Sequence, residues 1–293
     1  MKKLLLITTG GTIASGHSHS GGLAPEKNGA DMLPVLEDVS FDVLDLYAID
    51  STDARPAHWR MLYDAVTEKL PEYDGIVILH GTDTMAYTGA VLAFTVSTDK
   101  PMILTGSMLP FGVPDSDAPG NIRFAALTAA SRKYSGVHLA FAGRVIGGAD
   151  IVKVSSTSKD AFRSYSGLEI THTMHFPDSG DKMPAVIKLT PFTAANDILR
   201  ACEGHSRFII ETYGAGGLPS GEITDVVSEL AKKGRVIITT PCLGGTDLRR
   251  YEVGRRAWDA GAHNGGVMST ECAAVFEWIS ENNGIAPIEY DCC

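Results

Sequence analysis

Threonine hydroxyls follow two short apolar runs that lie far apart in this sequence. Thr12 comes after two glycines and the run Leu4–Ile7, and Thr82 and Asp83 come after the run Ile76–Leu79. Runs of this kind are typical of buried parallel strands, and open α/β sheets bind ligands at the carboxyl ends of such strands. Two hydroxyls and a carboxylate at one sheet edge therefore indicate an active site built on an alcohol nucleophile.

Two further predicted strands also end in polar side chains. Ser51 and Thr52 follow Val43–Ile49, and Ser107 follows Met102–Thr105. Each motif taken alone has a structural explanation, because turns are often polar and such side chains cap helices. Four strands that all end this way predict a convergent polar floor at one edge of the sheet.

An alcohol is a weak nucleophile until a base removes its proton. The sequence has no GxSxG motif, which disfavours a Ser-His-Asp hydrolase. Lys153 is the candidate base, because apolar neighbours and a nearby charge can keep a lysine neutral. By its sequence pattern alone, a solvated lysine at a strand edge is the commoner explanation.

Other classes of site lack their signatures. The sequence has neither GxGxxG nor a Walker loop, so a nucleotide-binding module ranks well behind the other hypotheses, an enzyme and an amino-acid sensor. His172 and His175 have no accompanying carboxylate or cysteine set, and His80 is expected to orient its turn. The five cysteines lack CxxC spacing, so neither a zinc site nor a disulfide framework is indicated. We therefore predict an enzyme with no metal and no cofactor.

The charge and hydropathy of the chain limit its partners and its location. Its net charge is −10, from 25 basic and 35 acidic residues, which makes nucleic acid and anionic membranes poor candidate partners. The N-terminal apolar run is too short for a secretory signal, and no run approaches transmembrane length. We predict a cytoplasmic enzyme with free thiols.

Strand and helix patterns alternate along most of the chain, and loop-like composition interrupts them between about residues 155 and 200. This predicts an α/β fold: a larger N-terminal mostly parallel sheet flanked by helices, plus a smaller C-terminal α/β domain. The predicted boundaries are residues 1–180, a connector over 181–206, and residues 207–293. The predicted elements include the strand Gly75–Leu79 and the helices Ala57–Leu70, Thr84–Val96, Asn121–Lys133 and Thr270–Asn282.

Two long motifs carry a resemblance to a known family. They are the segments from Thr9 to Ala14 and from Gly75 to Met85, supported by Asp50–Asp53, Lys153 and Asp160–Phe162. Over essentially its full length the chain resembles the bacterial-type L-asparaginases, and among them the smaller cytoplasmic members. The resemblance implies hydrolysis of L-asparagine to L-aspartate and ammonia.

The resemblance also implies a function for each matching residue. Thr12 is expected to be the primary nucleophile, and Thr82 the second catalytic threonine with Lys153 as its base. Asp83 is expected beside them as the acceptor of the substrate's α-ammonium. The α-carboxylate is expected to bind at Ser51, with Thr52 next to it. The family assembles as dimers of dimers, so the resemblance implies a homo-oligomer, a dimer or a tetramer.

One departure from the family leaves open what activates Thr12: a tyrosine from elsewhere, a water, or Lys153 through Thr82. The family's first loop commonly carries a tyrosine that closes over the nucleophile, and Leu23 stands where it is expected. A mixed glutaminase-asparaginase, or an amidase subunit that uses glutamine for transamidation, is the alternative within the same scaffold. A non-catalytic asparagine sensor is the alternative from a different class, because fold does not determine function.

Overall fold

The computed structural model describes residues 1–17, 23–25, 28–178 and 181–284. Packing divides the chain into two compact units. The first comprises Met1–Arg163 and Ile170–Thr173, and the second comprises Ser164–Glu169 and the chain from Met174 onward. Within these ranges, none of the helices combines the length and the apolar composition of a membrane span.

The first unit is built on a six-stranded sheet in the order β4-β1-β5-β6-β7-β8. All neighbouring strands are parallel except β7 and β8, which are antiparallel. Two small sheets, β2-β3 and β9-β10, accompany it. The strands are β1 (Lys2–Gly10), β2 (Ser15–His17), β3 (Leu23–Pro25), β4 (Val39–Ile49), β5 (Gly75–Leu79), β6 (Pro101–Thr105), β7 (Gly136–Phe141), β8 (Arg144–Gly147), β9 (Ile151–Lys153) and β10 (Phe162–Ser164).

Helices cover both faces of this sheet, because its central strands are apolar on both sides. In β1, Leu5 and Ile7 pack in one core cluster with helices α1 and α2, whereas Leu4 and Leu6 pack in another with helix α3. This arrangement confirms the predicted α/β class with a mostly parallel sheet flanked by helices. The helices are α1 (Pro56–Lys69), α2 (Met85–Thr95) and α3 (Ala118–Ser131).

The second unit is a smaller parallel sheet in the order β11-β12-β13-β14. Inside it, Glu277 is fully buried between the guanidinium groups of Arg207 and Arg235, at 3.1 and 3.0 Å. The elements are β11 (Ala185–Lys188), α4 (Ala195–Ala201), β12 (Arg207–Glu211), α5 (Glu222–Lys233), β13 (Arg235–Thr239), α6 (Glu252–Asp259), β14 (His263–Asn264) and α7 (Thr270–Asn282).

The segment 181–206, predicted as a connector, contains strand β11 and helix α4 of this second unit. Sequence patterns give weak signals here for a physical reason. Strand β11 lies at the sheet edge, and its Val186 and Lys188 are exposed, so it lacks the continuous apolar run of a central strand. Helix α4 buries only Ile198 along its length.

Candidate active site

Two glycines bring the loops after β1 and β5 into direct contact. Gly11 has φ +80°, and a Cβ built on it would lie 2.5 Å from the backbone N of Gly81. No side chain fits at that separation, so only glycine permits this approach. Thr12 and Thr82 are the next residues on the two loops, and their backbones therefore start from adjacent points.

Lys153 connects the strand β9 to the loop after β5. Its Nζ lies 2.9 Å from Oγ1 of Thr82 and 2.5 Å from Oδ1 of Asp83. Thr82 is buried, and 20% of the Lys153 side chain is exposed. A proton therefore has a direct path between the buried Thr82 hydroxyl and the lysine amine, while the Asp83 side chain on the other side of that amine is exposed to solvent.

Ser51 ties the turn after β4 to the same loop. Its buried Oγ accepts a hydrogen bond from the backbone N of Asp83 at 3.2 Å, and its carbonyl accepts one from Thr84 Oγ1 at 2.8 Å. The Ser51 hydroxyl hydrogen is left to donate elsewhere, because that Oγ acts only as an acceptor in this contact. Thr52 is exposed instead, and its hydroxyl donates to Oδ1 of Asp50 at 2.8 Å.

Thr12 opens a short 3₁₀ turn, Thr12–Ala14, at the end of β1. The next residue, Ile13, is fully buried, and its carbonyl accepts a hydrogen bond from Phe111 N. Thr12 itself is half-buried, and none of the described residues hydrogen-bonds its hydroxyl. This hydroxyl is available to a ligand.

The first loop continues from Thr12 into strands β2 and β3, which pair antiparallel with His17 opposite Leu23. The departure noted in the sequence, a leucine in place of the family's tyrosine, lies on β3. Residues 18–22 and 26–27 of this first loop fall outside the part of the chain that the structure describes.

The fourth polar strand end forms an internal scaffold. Ser107 is buried, and its hydroxyl donates to the Leu109 carbonyl. The Asp117 carboxylate accepts from the backbone N of Met108 and of Leu109. These bonds use up the polar groups of this loop, so it supports the site rather than offering it a nucleophile.

Asp160 fixes the hairpin that carries Lys153. Guanidinium forks from Arg144 and Arg163 both bind its carboxylate, at 2.8 to 3.2 Å. The bonds from Arg144, followed by those from Arg163, lower the pKa of this carboxyl. The Val154 N–H donates to the Ala161 carbonyl within the same hairpin, next to Lys153.

A buried series of hydrogen-bonded polar side chains, which the sequence patterns do not indicate, lies behind the site. His80, Thr88 and Trp59 are linked by hydrogen bonds, and burial lowers the pKa of His80. Thr88 lies in helix α2, and the apolar sequence of this helix gives no indication that Thr88 has a polar partner. Trp59 lies on helix α1. The available signal was a threonine inside an otherwise apolar buried helix, since buried polar groups require partners.

Comparisons with known proteins give matches along most of the chain. The family model "Asparaginase, N-terminal" matches residues 3–176. The chain is 38% identical to an L-asparaginase of Thermococcus kodakarensis, over 92% of this chain and 89% of that protein. The solved structure of the thermostable L-asparaginase from that organism matches with a TM-score of 0.82 at 34% identity, covering 96% of this chain and 93% of the other. A component of the glutamyl-tRNA(Gln) amidotransferase of Aeropyrum pernix is 27% identical, over 95% of this chain and 74% of its own length.

Proposed function

The chain belongs to the asparaginase family, and we propose that it hydrolyses the side-chain amide of L-asparagine through Thr12. The observation that carries the proposal is the contact of Lys153 Nζ with both Thr82 Oγ1 and Asp83 Oδ1, beside the junction of the Thr12 and Thr82 loops. This arrangement supplies a hydroxyl, a base and a carboxylate to one small molecule.

The proposed reaction has two steps, each an acyl transfer. Thr12 Oγ1 attacks the side-chain amide carbon while its proton passes toward Lys153 through Thr82, and the same proton relay delivers a proton to the departing nitrogen, which leaves as ammonia. The C–N bond breaks and an aspartyl ester forms on Thr12. Water then attacks the ester carbon, which releases L-aspartate and returns a proton to Thr12. Main-chain N–H groups of the two loops stabilise the oxyanion in both steps.

The substrate's two backbone charges supply its orientation. Asp83 Oδ1 faces Lys153, and its second oxygen remains for the α-ammonium of L-asparagine. The Ser51 hydroxyl hydrogen is placed to donate to the α-carboxylate, beside the same loop. Holding both groups fixes the amide carbon near Thr12, and such positioning supplies a large share of the rate enhancement in general. Thr52 is bonded to Asp50, so we assign it a supporting position next to Ser51.

Location and assembly remain predictions. We propose a cytoplasmic enzyme and a homo-oligomer, a dimer or a tetramer. Sedimentation of the purified protein measures the assembly directly. A monomeric mass at assay concentration would contradict the predicted oligomer.

Ammonia release from L-asparagine and from L-glutamine, compared as kcat/KM, tests the substrate assignment. One methylene in a binding pocket discriminates by about 10- to 200-fold, so we expect asparagine to be preferred within that range. Equal or faster turnover of glutamine would favour the mixed glutaminase-asparaginase or the transamidation enzyme. Calorimetric binding of asparagine without ammonia release would favour the sensor and refute the enzyme.

A further inference from the structure

His80 is a buried titratable residue for which the proposed mechanism has no use. Only 3% of it is exposed, and it lies between strand β5 and the turn that carries Thr82. Its Nδ1 is 2.7 Å from the Gly81 carbonyl oxygen, and its Nε2 is 3.0 Å from Thr88 Oγ1. The ring therefore connects helix α2 to the peptide that precedes Thr82.

Donor and acceptor chemistry settles which nitrogen of His80 carries the hydrogen. A carbonyl oxygen only accepts, so Nδ1 is the donor to Gly81. Trp59 Nε1 only donates, and it lies 3.0 Å from Thr88 Oγ1, which leaves the Thr88 hydroxyl hydrogen to donate to His80 Nε2. With a neutral ring, each hydrogen bond from Trp59 through Thr88 and His80 to Gly81 has one donor and one acceptor. Burial lowers the pKa of His80, which favours the same neutral form.

The Gly81–Thr82 peptide is trans, so its N–H points opposite to its carbonyl. Because His80 holds the carbonyl, the N–H of Thr82 is directed away from the ring. No described residue accepts a hydrogen bond from this N–H, although Thr82 is only 6% exposed. Buried backbone donors without a partner are rare in proteins, and this one is free to serve a ligand.

We propose that His80 is a positioning residue that fixes the direction of the Thr82 N–H, so that this N–H donates to the oxyanion formed on the side-chain carbonyl of asparagine. The inference rests on the proposed function. A donor aimed in advance at the developing charge needs no reorganisation during the reaction, which is the source of its catalytic effect. The hydrogen bonds from Trp59 to Thr88 and from Thr88 to His80 hold the His80 ring in place.

Two substitutions of His80 distinguish the effect of its hydrogen bond on kcat from the effect of its size. Asparagine places an amide N–H near the position of Nδ1, whereas leucine has a similar size and no donor. Removing an oxyanion donor outright lowers kcat by about 10²- to 10³-fold, and we expect misdirecting it to lower kcat by about tenfold in His80→Leu with KM within about twofold. We expect His80→Asn to keep kcat within about threefold of the wild type.

Helix α2 offers a second variant with a matched control. Thr88→Val removes the partner of Nε2 but keeps the bond to Gly81, so we expect kcat to fall by about threefold. Thr95→Val removes a buried hydroxyl of the same helix whose partner among the described residues is the Val91 carbonyl, and kcat is expected to stay unchanged. Equal effects of Thr88→Val and Thr95→Val on kcat would contradict a role for the hydrogen bond between Thr88 and His80.

The outcomes distinguish this inference from the proposed function. A wild-type protein that releases no ammonia from asparagine overturns the proposed function. An active wild type with unchanged kcat in His80→Leu, or equal losses in the leucine and asparagine variants at native melting temperature, overturns the inference alone. If His80→Leu does not fold, long-range ¹H–¹⁵N NMR of the wild type decides, with the His80 signal assigned by its loss in His80→Asn. A hydrogen on Nδ1 alone is expected, and a hydrogen on Nε2 contradicts the inference.

Discussion

Replacing Gly11 with alanine perturbs the junction of the two catalytic loops with a single methyl group. The new Cβ would lie 2.5 Å from the backbone N of Gly81, and ordinary contact begins at 3.4 Å. Gly81 Cα lies closer still to this Cβ, so the loops must separate by about 1 Å, and a misplacement of about 1 Å costs on the order of 10²-fold in rate. We expect Gly11→Ala to lower kcat/KM for ammonia release by that factor.

Gly143→Ala is the matched control for this experiment. Gly143 has φ +77°, close to the +80° of Gly11, but a Cβ there meets nothing within 4 Å. Both variants are expected to lose about 1–2 kcal/mol of stability from the left-handed backbone, measured by urea unfolding. Only Gly11→Ala is expected to lose activity as well. A folded Gly11→Ala with wild-type turnover would refute the idea that contact of these loops sets the geometry of catalysis.

Three further changes test other parts of the molecule. Lys153→Met should lower ammonia release by about 10²- to 10⁴-fold, as loss of a proton-transfer group does, while Lys159→Met, on the same hairpin, keeps full activity. Glu277→Ala leaves its two arginine partners buried without a counter-charge, so urea unfolding should show a loss of about 3–5 kcal/mol; the exposed Glu229→Ala should lose less than about 1 kcal/mol. A smaller loss at Glu277 than at Glu229 would refute the buried-charge argument. Because burial lowers the pKa of His80 below its usual 6.5, the unfolded chain binds a proton that the folded chain refuses as pH falls below that value. The contribution of His80 to the free energy of unfolding is thus complete above pH 6.5 and declines on acidification by up to about 1.4 kcal/mol per pH unit. His80→Asn should lack this slope in urea titrations at several pH values.

The central elements could be predicted from the sequence because local and tertiary signals agree in them. Strand β5 has its predicted bounds, since a continuous apolar run lies between glycines and is buried throughout. Helix α7 also has its predicted bounds, and its Ser269 side chain accepts from the backbone N of Cys272 as an N-cap. The polar ends of β4, β5 and β6 are likewise local features, visible as residue types after each run.

Contacts between distant segments could not be predicted from local pattern. The pattern around Lys153 favours a solvated side chain, because β9 is a short strand before a polar loop, and only the resemblance connected Lys153 to Thr82. The hydrogen bond between Thr88 and His80 requires helix α2 to lie next to the end of β5, and no sequence periodicity specifies that placement. Strand β11 was missed because an edge strand with exposed Val186 resembles a loop in its composition.

The most direct test of a two-threonine site measures ammonia release by Thr12→Ala and Thr82→Val against the wild type, with melting temperatures recorded on the same samples. Loss of a nucleophile or of its proton relay removes about 10³-fold or more of the rate in enzymes of this mechanistic type. We expect both variants to lose at least that much turnover of L-asparagine while they melt as the wild type does. Wild-type turnover in either folded variant would contradict the account.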